Sequence, residues 1–309
     1  MDVDEGVVTR AEGELDLSSG SRPRGPWRRA GRRYVRHPLG VTAGVVLLAI
    51  VVVGLLGGRL AHYPVNFVDL ANLNQAHGPT LAGRHLFGTD YLGRDLLTQL
   101  LYGLHTSIVV ALLVTVADTV FGVLVGAIAG YAGGWLDLFL MRGVDLVVTL
   151  PALAALLVSI VYFSPLTATR IGIVLSLYMW TTVARVVRTS CAMLREREFI
   201  EAAHAAGASS LRIVLRHLLP NSAGPVIVAA TTVFGQTVVL EATADFFNLG
   251  TSQVSGPTLG NLIADSTKYG NIGLSPWWTY TMPALVLIVL LTCVNFVGDS
   301  LDDALGATS

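Results

Sequence analysis

Hydrophobic residues in this chain are concentrated in six long stretches, which are separated by polar segments. A helix needs roughly 20 predominantly apolar residues to cross a bilayer. The stretches lie at about residues 38–56, 106–130, 142–163, 171–187, 222–246 and 277–298. The pattern therefore predicts an all-α polytopic membrane protein with six transmembrane helices.

The polar segments divide the chain into four parts. Residues 1–37 predict a disordered, basic tail, and residues 38–105 hold the first transmembrane helix and a loop. In this loop "GRDLLTQLLYGL" predicts a short amphipathic helix. It either covers the outer rim, which we slightly favour, or contacts an external protein. Residues 106–300 predict a core of five transmembrane helices, and residues 301–309 form a second tail.

Basic residues predict the orientation, because cytoplasmic loops carry the excess of arginine and lysine. With the N-terminus inside, fifteen of the twenty Arg and Lys residues fall on the cytoplasmic side and five fall outside. Seven of the arginines lie between Arg22 and Arg36. For this run we favour a topology signal over binding to anionic lipids. Both termini and segment 188–220 are therefore predicted to be cytoplasmic, and the loops 57–105 and 247–276 to be external.

The composition agrees with a membrane location and argues against several other classes. The chain is 53% hydrophobic and only 13% charged, and its net charge of −1 argues against a nucleic-acid partner. Soluble domains carry about 25% charged residues. Cys191 and Cys293 lie far apart, and none of the seven histidines has metal-ligand spacing. We therefore expect no disulfide framework, no metal site and no catalytic residue.

The cytoplasmic segment between the fourth and fifth stretches reads "EFIEAAHAAGASSLRIVLRHLLPN" and covers residues 198–221. Gly207 is expected to break the segment into two helices, because glycine tolerates positive φ. Ser209 or Ser210 can cap the second helix, and Pro220 is expected to end it. The first helix has an apolar face made of Phe199, Ala202, Ala203 and Ala206. The second has a stripe made of Leu211, Val214, Leu215, Leu218 and Leu219.

Two interpretations of this hairpin compete. Its leucine-rich second half fits either an interfacial amphipathic helix or a surface that docks on a cytoplasmic protein. The alanines at positions 202, 203, 205 and 206 would hold poorly in lipid but allow close approach of another protein. Glu201 would supply a charged contact beside them. The first half therefore favours docking.

The same hairpin resembles the EAA loop of ABC-transporter permease subunits. That pattern is Glu-Ala-Ala, three residues, Gly, nine residues, Ile, any residue and Leu-Pro. His217 occupies the isoleucine position and is a departure from it. The resemblance assigns contact with an ATPase subunit to Glu201, Ala202, Ala203, Gly207, His217, Leu219 and Pro220.

Other stretches resemble the dipeptide/oligopeptide/nickel group of these permeases, so that the likeness covers residues 28–306. They include "HLFGTDYLGRDLLTQLLYG" (85–103), "YAGGWLDLFLMRGVDLVVTLP" (131–151) and the last apolar stretch with "GDSLDDALG". "EATADFFNLG" (241–250) is similar to a further family segment but departs from it at Ala244, Asp245 and Asn248. The arginine run with "RHPLG" resembles the second permease of the pair.

The resemblance implies a type I ABC importer permease fold in a bacterial plasma (inner) membrane. Its implied partners are a homologous second permease in a heterodimer, two ATPase subunits, and an extracytoplasmic binding protein that delivers di- or oligopeptides. ATP and Mg would bind the ATPase subunits, and we expect no cofactor and no enzymatic activity on this chain. Consistent with this, the single lysine, Lys268, lies in no G-x-x-x-x-G-K-[S/T] phosphate-binding motif.

Two alternative functions stay open. One is import of a nickel chelate or another small solute by a member of the same family. The other, which we favour less, is an ion-driven secondary transporter. That class typically has broken or charged helices at mid-membrane and inverted repeats, and this sequence shows one central acid and no clear repeat.

Three polar residues within the apolar stretches are candidates for the translocation path: Asp118, Gln236 and Glu241. A charge at the centre of a spanning helix costs roughly 2.5–3.5 kcal/mol on insertion scales. Asp118 either faces the path and meets a peptide amino group or forms a hydrogen bond between helices. For Glu241 we favour a structural contact with the 247–276 loop.

Two further features predict packing rather than transport. Glycines at spacings of four, Gly122, Gly126 and Gly130, would allow another helix to approach closely. Arg142 and Asp145 are three residues apart and are expected to pair at the cytoplasmic end of the third span.

Overall fold

The computed structural model describes residues 26–72, 76–80, 85–152, 154–156, 158, 168–247, 256–268 and 276–306. Its fold is all-α, and within these ranges the β pairing is limited to one isolated bridge between Thr89 and Asp95. The helices are α1 (Pro26–Arg36), α2 (Pro38–Leu55), α3 (Gly57–Leu60), α4 (Leu96–Ala132), α5 (Gly134–Thr149), α6 (Ala168–Arg195), α7 (Glu198–Ala205), α8 (Ser210–Ile213), α9 (Leu219–Phe246), α10 (Leu259–Lys268) and α11 (Trp277–Gly306).

Five helical segments in the described part of the chain are long and apolar enough to cross a membrane. They are α2, α4, α6, the continuous segment from α8 through α9, and α11. These segments match the first, second, fourth, fifth and sixth predicted spans. The third predicted span begins in α5, which ends because Leu150 is extended (φ −80°, ψ 126°), as the residue before a proline prefers. The rest of that span, beyond residue 158, lies outside the described residues.

Helix α4 is longer than the predicted second span. It has 37 residues, so at 1.5 Å per residue it is about 55 Å long, well beyond a hydrocarbon core of about 30 Å. The side chain of Asp95 caps its first turn by accepting a hydrogen bond from the Thr98 amide at 2.8 Å. The helix predicted separately within the outer loop is therefore the first part of α4, because no break intervenes.

The two chain ends are more helical than the sequence predicted. Helix α1 covers much of the basic run, and the Tyr34 hydroxyl donates a hydrogen bond to the Gly40 carbonyl of α2 at 2.8 Å. Helix α11 continues through Gly306, so most of the predicted second tail is its last turns. Residues 1–25 and 307–309 lie outside the described residues.

The predicted glycine packing is confirmed between α4 and α6. A Cβ on Gly126 would lie 2.5 Å from the Ala184 carbonyl oxygen, and one on Gly130 would lie 2.5 Å from the Arg188 carbonyl oxygen. Gly122 faces Val183 and the Trp180 carbonyl in the same way. The two backbones are therefore too close at these three positions for any side chain larger than the hydrogen atom of glycine.

The segment predicted as an outer loop, residues 57–105, is folded against the helices beside it. His85 Nδ1 lies 2.9 Å from the Asp95 carboxylate, and His85 Nε2 lies 3.4 Å from that of Asp69. Arg94 bridges Asp90 at 2.6 Å and Asp265 of α10 at 3.1 Å. These contacts hold the segment against α4 and α10, and its place at the outer rim stays a prediction.

Candidate functional site

The hairpin of residues 198–220 reverses the chain after α6. Arg197 is the N-cap residue of α7 and adopts an extended conformation (φ −85°, ψ 142°). At the other end the Ala208 amide donates to the Ala203 carbonyl at 3.0 Å, and the Gly207 amide donates to the His204 carbonyl at 2.9 Å. These two bonds form a Schellman motif, which places a residue with positive φ after the helix. Gly207 occupies that position with φ of 77°, so its predicted role as the break is confirmed.

The second half of the hairpin continues into the fifth span. Ser209 precedes α8 at the capping position, but its side chain makes no capping hydrogen bond. Residues 214–218 form a π-helical turn in which the Leu219 amide bonds to the Val214 carbonyl. Pro220 then lies in the first turn of α9, where its missing amide hydrogen is tolerated. The prediction that Pro220 ends the unit is therefore wrong, because the helical segment runs from Ser210 to Phe246.

Three isoleucine or leucine side chains fix the hairpin to the membrane core. Ile200, Ile213 and Leu218 are almost fully buried and belong to the same hydrophobic cluster as residues of α4, α6 and α9. By contrast, Leu211 and Leu215 of the predicted stripe are 68% and 57% exposed. Leu218 of the predicted stripe is confirmed as buried, and Val214 and Leu219 are half-buried against the core. Ile213 is a buried position that the predicted stripe missed.

The residues that the EAA resemblance assigns to ATPase contact are mostly accessible. Ala203, His217 and Leu219 are half-buried, while Glu201, Ala202, Gly207 and Pro220 are exposed. Phe199, at 43% exposure, adds an aromatic ring to the exposed side of α7. The hairpin thus presents a carboxylate, small alanines and large apolar side chains together.

A set of contacts missed in the sequence joins the hairpin and the end of α6 to the corner between α4 and α5. The ring of Tyr131 is nearly parallel to that of His204, at 12°, with centroids 6.3 Å apart. Arg195 donates from Nη1 to the Tyr131 carbonyl at 3.2 Å. Arg188 pairs with Asp137 through two hydrogen bonds, of 3.0 and 2.5 Å.

The Arg188 pair also affects the ionisation of Asp137. Hydrogen bonding from the guanidinium lowers the pKa of the Asp137 carboxyl, although desolvation opposes this effect. The partners are 51 residues apart, and Tyr131 and His204 are 73 apart. No local spacing rule could have paired them.

The candidate path residues do not lie together. Asp118 is 1% exposed, and both of its carboxylate oxygens are buried without a hydrogen-bond partner. Gln236 is exposed on α9. Glu241 is 1% exposed and accepts a hydrogen bond from Ser107 of α4 at 3.1 Å. Its favoured contact with the 247–276 loop stays a prediction, because residues 248–255 and 269–275 lie outside the described residues.

The predicted pair of Arg142 and Asp145 is weak. Their closest charged atoms are 4.0 Å apart, and both side chains are at least half exposed. Asp145 instead accepts a hydrogen bond from Arg185 of α6 at 2.8 Å. The predicted pair is therefore present, but Arg185 on the neighbouring helix is the closer partner of Asp145.

Comparison with known families and proteins adds evidence beyond this geometry. Residues 122–307 match the family described as binding-protein-dependent transport system inner membrane component. Residues 25–77 match the N-terminal TM domain of oligopeptide transport permease C. The first match includes the hairpin, the three contact glycines of α4, and the path candidates Gln236 and Glu241, whereas Asp118 lies between the two matched ranges.

Similar curated proteins are named for peptide transport. The chain is 36% identical to the oligopeptide transport system permease protein OppC of Mycobacterium tuberculosis over 90% of this chain and 93% of that protein. It is 30% identical to the dipeptide transport system permease protein DppC of Alkalihalophilus pseudofirmus over 91% and 89%, respectively. A putative peptide transport system permease protein of Brucella abortus is 35% identical over 89% of each chain.

A solved structure supports the fold. The chain aligns with an inward-facing structure of the MetNI methionine ABC transporter at a TM-score of 0.55 and 21% identity, covering 68% of this chain and 96% of that one. The type I ABC importer permease fold implied by the hairpin is thereby confirmed. The chain belongs to the family of binding-protein-dependent transport system inner membrane components and is a multi-pass permease subunit of an ABC importer.

Proposed function

We propose that this subunit forms half of the translocation pathway of an importer for di- and oligopeptides. A homologous second permease forms the other half, and an extracytoplasmic binding protein delivers the peptide. The names of the dipeptide and oligopeptide relatives support this cargo. Two ATPase subunits bind ATP and Mg, and one of them binds the hairpin of residues 198–220.

The observation that carries the coupling role is the division of the hairpin into an exposed face and a buried base. Glu201 and Phe199 lie on the exposed side, while Ile200 is buried in the core that α4, α6 and α9 share. A partner that pulls on the exposed side therefore acts on the packing of three long helices. Coupling further requires that the partner bind the inward- and outward-open states with different affinities.

Two routes lead from the hairpin into the membrane. The first is covalent and stiff, because the segment from Ser210 to Phe246 is helical throughout. The second runs through side chains, from His204 to Tyr131 at the end of α4. Movement of α7 would thus reach α9 and α4 together, which is what opening one side while closing the other requires.

The proposed orientation places the hairpin and both termini in the cytoplasm. Five arginines at positions 188, 195, 197, 212 and 216 support it, since positive charge concentrates on the inner side. Ala202→Cys places a cysteine at an exposed position of the hairpin. A membrane-impermeant maleimide should label this cysteine only when the reagent is given access to the cytoplasmic side. Thr80→Cys in the exposed outer loop is the matched control, and the native cysteines are both buried.

The functional test compares uptake with ATP hydrolysis in the complete complex reconstituted in vesicles. Glu201→Arg reverses the exposed charge of α7, and Gly207→Pro removes the amide that closes the Schellman motif and cannot adopt φ of 77°. Both variants should insert normally but lose the link between ATPase activity and peptide uptake. Glu196→Arg, at an exposed position before α7, is the control and should behave like the unchanged protein. Normal coupled transport by both hairpin variants would refute the proposal.

A further inference from the structure

A cavity between α4 and α6 contains an acid that no other group in the described structure neutralises. Its volume is about 440 Å³, within the range of about 300–1,000 Å³ that small-molecule sites occupy. The walls are mainly apolar, and Val110, Leu113, Phe121, Ile173 and Leu177 supply most of them. Asp118 also lines the cavity, with neither carboxylate oxygen hydrogen-bonded.

The other polar groups around the cavity do not satisfy Asp118. Ser176 of α6 also lines the cavity, but neither carboxylate oxygen of Asp118 accepts a hydrogen bond from a described residue. The Trp180 indole donates to the Leu177 carbonyl at 3.0 Å, so its hydrogen is already used. Among the described residues that line the cavity none is basic. A buried anion with no partner among the described residues is costly, which favours a bound cation or hydrogen-bond donor at this site.

The shape of the site limits what that group can be. Asp118 is only 1% exposed, whereas the cavity wall at Leu113 and Leu177 is 56% and 67% exposed. A donor must therefore be slim enough to pass the apolar rim and reach the recessed carboxylate. Lipid tails offer no hydrogen-bond donor. An ammonium group attached to an apolar body matches both the charge of the acid and the apolar wall.

We propose that Asp118 binds the ammonium group of a transported substrate during its passage and thereby makes the permease select for cationic amines. This inference rests on the proposed function, because it assumes that the cavity faces the translocation path. The substrate class is a primary amine, which includes a peptide with a free N-terminus. The selection occurs within the membrane and adds to any selection by the binding protein.

The first test measures binding alone, in the purified complex, with phenethylammonium as the probe. This cation should raise the thermal unfolding midpoint of the unchanged complex, since a ligand that binds the folded state stabilises it. The neutral analogue 2-phenylethanol should not. Asp118→Asn preserves the size of the side chain and should abolish the shift. Thr119→Val alters the next residue, which is half-buried and does not line the cavity, and should leave the shift intact.

The second test measures uptake of radiolabelled trialanine into vesicles, relative to ATP hydrolysis stimulated by the binding protein. Asp118→Asn should lower uptake per ATP by roughly 10- to 100-fold, the effect of losing one hydrogen bond to a charged group. Stimulated ATP hydrolysis should stay within about twofold, as should both activities of Thr119→Val, because neither substitution touches the hairpin.

Two results would overturn the inference. One is a phenethylammonium shift that survives in Asp118→Asn together with normal uptake. The other is loss of the second permease from the purified Asp118→Asn complex, which would make the missing partner a donor on that subunit. Failure of the proposed function looks different, because an unchanged complex that binds phenethylammonium through Asp118 but takes up no trialanine would refute the peptide cargo only.

Discussion

Replacing Gly126 by alanine tests the close contact between α4 and α6. In an unconstrained helix interior this change stabilises the protein by roughly 0.5–1 kcal/mol, because alanine loses less backbone entropy than glycine on folding. At Gly126 the added Cβ would lie 2.5 Å from the Ala184 carbonyl oxygen and 2.8 Å from Val187 Cβ. Ordinary contacts of a Cβ are 3.4–4 Å. The two helices must therefore move apart by several tenths of an ångström.

That movement determines the sign of the effect. A radial gap of about 0.5–1 Å forfeits a quarter to a half of each dispersion contact, and overpacking of a core costs about 1–3 kcal/mol. The contact is with backbone, which cannot rotate away as a flexible side chain can. After subtraction of the helix-propensity gain, we expect Gly126→Ala to destabilise the subunit by about 1–2 kcal/mol.

Thermal unfolding of the purified subunit in detergent measures this difference. Each kcal/mol shifts the midpoint by about 2–4 °C in proteins of 150–250 residues, so a decrease of several degrees is expected. Gly143→Ala is the matched control, because a Cβ on this glycine of α5 would meet nothing within 4 Å. It should raise the midpoint slightly. If Gly126→Ala raised the midpoint as much as Gly143→Ala, the reasoning about helix contact would be wrong.

Three further predictions concern capping, backbone conformation and charge. Asp95→Ala removes the cap on the Thr98 amide and should lower stability by about 1–2 kcal/mol in thermal unfolding, whereas Asp95→Asn should lose less. Gly207→Ala forces a side chain into positive φ at a cost of about 1–2 kcal/mol, so limited proteolysis should cut the hairpin faster, and an unchanged rate would count against the Schellman assignment. The pKa of Asp137 is lowered in the folded state, so its pair with Arg188 stabilises the protein above the unfolded pKa of about 3.9, and this contribution is lost as the pH falls through the folded pKa. Unfolding midpoints measured from pH 7 downwards should fall less steeply in Asp137→Asn, and identical curves would contradict the pair's role.

Sequence periodicity located most spans because the signal for a spanning helix is local. Stretches of about twenty apolar residues predicted α2, α4, α6, α9 and α11 without knowledge of their neighbours. Helix ends were less accurate, since α4 begins at Leu96, ten residues before the predicted span. Apolar composition measures how much of a helix the bilayer can hold and not how far the helix extends beyond it.

The hairpin shows the same limit in a functional segment. Gly207 was predicted correctly, because positive φ is a property of a single residue and its two neighbours. Burial of Leu218 was predicted from the 3.6-residue period, but burial of Ile213 was not, since the π turn that follows Ile213 changes the register. Whether Leu211 and Leu215 face the core depends on that turn and on the helices packed beside it.

The amino-acid sequence alone determined the class of the protein, its membrane segments, the glycine break and the resemblance of the hairpin to an EAA loop. All of these depend on composition or on residues a few positions apart. Only the tertiary structure decided that Tyr131 meets His204, that Arg188 pairs with Asp137, and that Asp118 lines a cavity with no hydrogen-bond partner in the described part of the chain. Contacts between distant residues arise from helix packing, in which the fit of whole surfaces, rather than any local pattern, selects which side chains meet.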